Sequence, residues 1–322
     1  MDANYVSRKL TELAQLRQAG FSPILSLGVH DAPAWLHTAY PNSYYVNQFG
    51  QNYTDGLDCG DANLIFNPAL RALAAQYVRD VFSRFGGDFA AVRLGGGRYG
   101  ELSYPPATFG GRSNLYWNYD ANALAQSPAP AWHPGDASPA GQAQTFLRWH
   151  LDALTEFQNW QITLLRQSYA GPLMMLYPSW GIRPGDFEKA VATNLNGSSS
   201  AEINGEIQRG FDFKSQIAAI TDAKVIVTTT WLDADPSADN GTDQRYWSPV
   251  HYLSSLAQAH PLHLSVFGEN TGQGQRALMD RAAAQMKRYS LTGMLWYNET
   301  ELFSSGYATL EDYRQVIVNY SK

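Results

Sequence analysis

Six short apolar runs, most followed by a stretch of helical periodicity, restrict this chain to few folds. They cover residues 23–29, 89–94, 171–178, 223–230, 262–267 and 293–297. The second is the clearest: Phe89, Ala90, Ala91, Val92 and Leu94 form a near-continuous apolar run, as in a strand covered on both faces. Helical spacing fills the intervals. Asn67 and Pro68 read as N-cap and first helical residue before Leu70, Leu73, Ala74, Tyr77, Val78 and Val81, and Gly86-Gly87 stops that helix. Further helices are expected over residues 6–18, 143–168, 212–221, 250–260, 275–289 and 310–320. Strands alternating with helices imply a parallel α/β sheet with right-handed crossovers. The segments before strands are short and those after them long, the asymmetry of a TIM-type (β/α)8 barrel that works through its βα loops. Six strands are two fewer than that barrel requires. Either the first two βα units are absent from the sequence given, or the sheet stays open, or another chain completes it.

Composition narrows the partners. The chain has 322 residues, 16% charged, with a net charge of -6 and no basic run, which argues against nucleic acid. No shift in composition marks a boundary, so residues 1–322 read as one barrel domain. A lone cysteine, Cys59, excludes an internal disulfide framework. No apolar run is long enough for a membrane span, and the polar amphipathic start is no signal peptide, so the chain reads as soluble with its compartment open. Sequons at Asn52, Asn196, Asn240, Asn298 and Asn319 matter only in a eukaryotic secretory setting. Residues 194–205 are poor in apolar side chains and read as exposed.

The chemistry points to carboxylates. Asp31, Glu101, Asp233, Glu269 and Glu299 each fall just after an expected strand, where α/β folds build their sites. Two carboxyl groups facing one bond, one protonated and one ionised, are what glycoside hydrolysis needs. The same acids, with His30, would also suit a divalent cation, although no ligand-spaced pair such as His-x-His accompanies them. Gly95, Gly97 and Gly100 match a dinucleotide fingerprint, but Pro105-Pro106 break the helix it requires, so no cofactor is expected. There is no Gly-x-Ser-x-Gly elbow. Aromatics make up 13% of the chain, many in loops: Trp35, Tyr44, Tyr45, Trp117, Tyr119, Trp132, Trp180, Trp231 and Trp247. They read either as a sugar-stacking surface or as anchors of long loops.

Two resemblances sharpen this. Residues 94–105 resemble the β-amylase segment that carries the general acid, through Gly97, Gly100, Glu101, Leu102, Tyr104 and Pro105. Gly268-Glu269-Asn270 resembles the same family's Gly-Glu-Asn, whose glutamate is the general base. Thr230-Trp231-Leu232-Asp233 is similar to its mobile inner loop, where a threonine contacts sugar, and His30 sits where it has a substrate-binding histidine. Ala32, Pro33 and Trp35 resemble the Ala-Pro-x-Trp segment of β-galactosidase-like barrels, whose catalytic acids follow strands 4 and 7. Numbering the visible strands 3 to 8 places Glu101 after strand 4 and Glu269 after strand 7. The family's first two strands and its flap have no counterpart, and its lysine after strand 5 is replaced by a residue such as Arg183.

The resemblances imply a glycoside hydrolase. Glu101, held near Tyr99 and Tyr104, would protonate the leaving oxygen, while Glu269 acts as nucleophile or as base for water. β-Amylases invert and the β-galactosidase-like barrels retain, so the stereochemical outcome stays open. Expected sugar contacts are His30, Asp31, Trp35, Tyr99, Trp180, Thr230, Trp231, Asp233, Asn270 and Trp296. Competing readings are a non-catalytic carbohydrate-binding relative and a metal-dependent barrel hydrolase built on His30, Asp31 and Asp233.

Overall fold

A computed structural model describes residues 2–54, 61–270, 274–296, 299–304 and 306–320. Cys59, Asn298 and the side chain of Glu299 lie outside that description. The chain runs α1 (Ala3–Gln18), β1 (Ile24–Ser26), α2 (Ala34–Ala39), α3 (Pro68–Phe85), β2 (Ala91–Leu94), α4 (Ala121–Gln126) and α5 (Gln142–Arg166). Next come β3 (Leu173–Tyr177), α6 (Asp186–Ala192), α7 (Ser200–Ile203), α8 (Phe213–Ala218), β4 (Val225–Thr229) and α9 (Pro249–Ala259). The end is β5 (Ser265–Glu269), α10 (Arg276–Arg288), β6 (Met294–Leu295) and α11 (Leu310–Tyr320). The six strands follow chain order in the sheet, as right-handed βα repeats require. Among the described residues no helix is long and apolar enough to cross a membrane.

Two compact units divide the chain, residues 1–173 with 186–210, and residues 174–185 with 211–322. In the first unit β1 pairs parallel to β2, from Ile24 opposite Ala91 to Ser26 opposite Arg93. The Asn67 side chain accepts from the backbone N–H groups of Ala69 and Leu70, with Pro68 inside the first turn, so α3 starts where the capping rules place it. Helix α5 buries Phe146, His150, Leu154, Phe157 and Gln161, a stripe at three- and four-residue spacing. The long connection after β2 packs inward: Leu102, Tyr104, Leu115, Tyr116 and Trp117 are all fully buried. Each such side chain contributes about 1.5–3 kcal/mol by leaving water.

In the second unit β4 and β5 pair parallel from Ile226 opposite Ser265 to Thr229 opposite Gly268. β5 continues to β6, with Glu269 opposite Leu295. Leu232, Val250, Met279, Ala282, Trp296 and Val316 share one apolar cluster. Buried Asp239 ties the connection after β4 to the helices: it accepts from the Ser248 N–H (2.6 Å), the Ser248 hydroxyl (2.7 Å) and the Tyr289 hydroxyl (2.6 Å).

Three expectations need correction. Trp35 is not in a loop but in α2, a short helix that the aperiodic Asn- and Tyr-rich stretch concealed. Residues 194–205 are not an exposed segment: Leu195, Ser199, Ala201 and Glu202 are buried. A capping box explains this, because the Ser199 hydroxyl accepts from the Glu202 N–H while the Glu202 carboxylate accepts from the Ser199 N–H. Most of the loop aromatics are anchors. Tyr45, Trp117 and Trp132 are buried, Tyr44 stacks on His37 at 3.9 Å, and Trp247 stacks on His251 at 3.8 Å.

Candidate active site

β2 delivers Glu101 through a turn that only glycines can make. A Cβ on Gly95 would run into the backbone carbonyl of Gly100, and Gly96 takes φ +82 beneath the Phe157 ring. Gln161 of α5 closes the strand end. Its Oε1 accepts from the Gly95 N–H (3.2 Å) and its Nε2 donates to the Gly95 carbonyl (3.1 Å). The turn then closes on itself, the Gly97 N–H donating to the Glu101 carbonyl (2.8 Å) and the Gly100 N–H to the Gly97 carbonyl (2.9 Å). Within it Tyr99 holds φ +63 with its side chain 70% exposed, a conformation costly for an aromatic residue.

Tyr104 does not serve the carboxyl as expected. Its hydroxyl donates to the His150 carbonyl (2.8 Å), accepts from Asn118 Nδ2 (3.3 Å), and its ring stacks on His150 at 4.2 Å. A described charge partner of Glu101 is Arg209, with Nη2 3.8 Å from Oε2. Arg209 follows α7, and its carbonyl accepts from the Tyr104 N–H (3.1 Å), which joins the two segments by backbone as well as by charge. Burial pushes the Arg209 pKa down, while Glu101, Glu206 and Tyr53 pull it up and Arg98 lowers it further. Nothing in the sequence announced this residue. It lies beyond a stretch without periodicity and meets Glu101 only through the fold.

His30 and its neighbours part company. The His30 ring packs against Gly100, within the turn that carries Glu101. Burial lowers its pKa, with Asp31 opposing and Arg93 assisting. Asp31 sits 3.6 Å from His30 Nε2 but is largely exposed, and with Trp35 it lines a different groove against Leu73 and Tyr77 of α3. Trp35 is 56% exposed. His30, Gly100 and Arg93 line a small cavity of their own with Phe157 and Gln161.

In the second unit Glu269 is the last residue of β5 and is buried, as is Asn270. Its carbonyl accepts from the Leu232 N–H (2.9 Å), and a Cβ on Gly268 would run into the Leu232 side chain at 2.5 Å. The close approach of residues 230–233 to β5 therefore explains the glycine before the glutamate. The Thr230 N–H donates to the Tyr177 carbonyl (3.3 Å), and the Thr229 hydroxyl accepts from the Trp231 N–H (3.3 Å). Trp231 meets Trp180 edge to face at 6.1 Å, both half-buried. Arg183 is buried behind them, its guanidinium 3.9 Å over the Tyr252 ring and donating to the Trp247 carbonyl (3.0 Å). Asp233 is buried, its carbonyl accepting from Arg281 (3.3 Å), and Trp296 lies in the apolar cluster. Among the described residues no three His, Cys, Asp or Glu side chains gather as a metal site.

No family model and no curated protein matches the chain in sequence. In structure it is similar to the catalytic domain of β-amylase from Paenibacillus polymyxa, with a TM-score of 0.69 and 16% identity, covering 98% of this chain and 86% of that one. It is also similar to the polyextremophilic β-galactosidase of the Antarctic haloarchaeon Halorubrum lacusprofundi (TM-score 0.56, 12% identity, 100% of this chain and 51% of that one). A third similar structure is the β-galactosidase of Bacillus circulans sp. alkalophilus (TM-score 0.51, 12% identity, 92% and 43%). The chain spans about half the length of these β-galactosidases or less. The fold is thus a TIM-type α/β architecture, with six strands among the described residues.

Proposed function

We propose that this protein hydrolyses O-glycosidic bonds of an oligo- or polysaccharide, with Glu101 as proton donor and Glu269 as the ionised partner. The observation that supports this best is the position of Glu101 in the turn after β2 and of Glu269 at the end of β5, in a fold shared with a β-amylase catalytic domain and two β-galactosidases. Strand ends are where parallel β/α barrels carry their chemistry. Glu101 is partly exposed in its turn, where it could meet a leaving oxygen, and Glu269 is buried at a strand end, as suits a nucleophile or water-activating base. His30 and Tyr99 would contact sugar beside Glu101. Thr230 and Asn270 would do so beside Glu269, with Trp180 and Trp231 as stacking faces. Asp31 and Trp35, which line a separate groove against α3, would serve a more distant sugar unit. Asp233, whose carbonyl accepts from Arg281, and Trp296, in the apolar cluster, are second choices.

Aryl glycosides and α- and β-linked oligosaccharides test the proposal directly. Glu101→Gln and Glu269→Gln should each lower the rate by about 10²–10⁴-fold; wild-type rates in either variant would refute it. Product anomers followed by NMR would then identify the mechanism, since retention needs carboxyls about 5 Å apart and inversion about 6.5–9.5 Å. One observation favours a second reading, a non-catalytic carbohydrate-binding protein. A guanidinium beside Glu101 favours its charged form, the opposite of what a proton donor needs. Saturable sugar binding without hydrolysis at any pH would select that alternative.

A further inference from the structure

We infer that Arg209 is a positioning residue for Glu101, a fixed positive charge that orients its carboxyl and sets how acidic the medium must be before that carboxyl takes up a proton. The inference rests on the reading of Glu101 as proton donor and adds the group that governs it. Its first support is anchorage. Most exposed ion pairs join two flexible side chains and mean little, but here the backbone carrying each side chain is held. The Glu101 carbonyl is held by the Gly97 N–H, and the Arg209 carbonyl by the N–H of Tyr104, three residues after Glu101. The side chains are 24% and 16% exposed, so solvent screens the pair only in part.

The second support is the chemistry of the neighbours. A guanidinium does not lose its proton in the working range of an enzyme, so its charge is constant, whereas an imidazole at that place would switch. Glu206 is buried and also faces Arg209, sharing its charge, while Tyr53 and Arg98 flank it. On the other side of the turn His30 packs against Gly100 with Asp31 and Arg93 beside it, and burial keeps His30 from charging readily. Arg209, Arg98 and Arg93 are therefore lasting positive charges around this turn in the first unit, and Arg209 is the one placed against the Glu101 carboxyl. Loss of the Arg209 charge should raise the pH at which Glu101 titrates, and the alkaline limb of any hydrolysis that needs protonated Glu101 should move with it.

Carbon-detected NMR of the full chain labelled at the glutamate carboxyl carbons reads this without a substrate, the Glu101 signal being assigned by its loss in Glu101→Gln. In Arg209→Gln the Glu101 midpoint should rise by about one pH unit or more. Arg209→Lys, which keeps the charge but not the fork, should raise it by a fraction of that. An unmoved midpoint in folded Arg209→Gln overturns the inference. Should that variant not fold, an unmoved midpoint in folded Arg209→Met, which also removes the charge, does so. With a cleaved substrate in hand, the alkaline limb of kcat/KM should shift in parallel; a lower rate with an unmoved limb would mark Arg209 as merely structural. A raised midpoint together with undiminished hydrolysis in Glu101→Gln would instead refute Glu101 as the proton donor and leave the electrostatic coupling standing.

Discussion

The two glutamates are presented in opposite ways. Glu101 stands seven residues past the end of β2, on a glycine turn, partly exposed and beside a guanidinium. Glu269 is itself the last residue of β5, buried, its carbonyl gripped by residue 232. A turn can adjust the aim of its carboxyl and have its charge tuned by a neighbour. A strand end fixes aim and environment together. Under the proposed function, the adjustable carboxyl would carry the proton and the fixed one would stay ionised.

Shortening each acid would test the division most severely. In Glu269→Asp the strand cannot follow the retreating carboxyl, and about a 10²-fold loss of kcat is expected. Glu101→Asp should cost nearer 10-fold, because its turn can adapt; equal losses would erase the contrast. The glycines give the next largest effect, read in thermal or denaturant unfolding. Gly95→Ala pushes a methyl into the Gly100 carbonyl, which cannot yield without opening the turn, so about 3 kcal/mol of stability should be lost. Gly268→Ala meets the movable end of the Leu232 side chain and should cost about 1 kcal/mol.

Acid sharpens the comparison further. His150, buried under Tyr104, is offered two oxygen acceptors, Asn118 Oδ1 at 2.8 Å and the Ile207 carbonyl at 3.1 Å, and burial pushes its pKa down to about 3. A histidine with a depressed native pKa binds fewer protons folded than unfolded. Stability is then lost as pH falls from about 6.5 toward 3, at about 1.4 kcal/mol per unit. Hydrogen exchange at stepped pH should show protection around the Glu101 turn failing first, and His150→Gln should blunt that sensitivity. The smallest effect concerns the indoles. Trp180→Ala and Trp231→Ala should each weaken sugar binding by about 0.5–1.5 kcal/mol, measured by calorimetry, and leave the Glu101 titration unchanged.

Much of this was legible in the chain. Helix α3 declares itself through Asn67, Pro68 and its apolar spacing, and the strand ends that carry Glu101 and Glu269 follow from apolar runs stopped by glycine. What was hidden shares one cause. Arg209, Gln161 and His150 owe their roles to contacts made across the fold, and their local sequence has no feature that separates them from a surface arginine, a helical glutamine or a core histidine. The loop aromatics misled for the converse reason: Trp117 and Trp132 look available in an aperiodic stretch, yet the long connections pack inward and bury them. Trp296, just past the end of β6, lies in the apolar cluster of the second unit.

The grip of Gln161 on Gly95 bears on how such a site can diversify. One side-chain amide satisfies both peptide groups at the point where the strand stops, doing what a further strand residue would otherwise do. The rim of the sheet is thereby sealed from within by a helix, independently of the turn beyond it. Residues after that seal can be exchanged for turns of other length or composition without unravelling the strand, so new specificities can be grafted there while the framework is inherited intact.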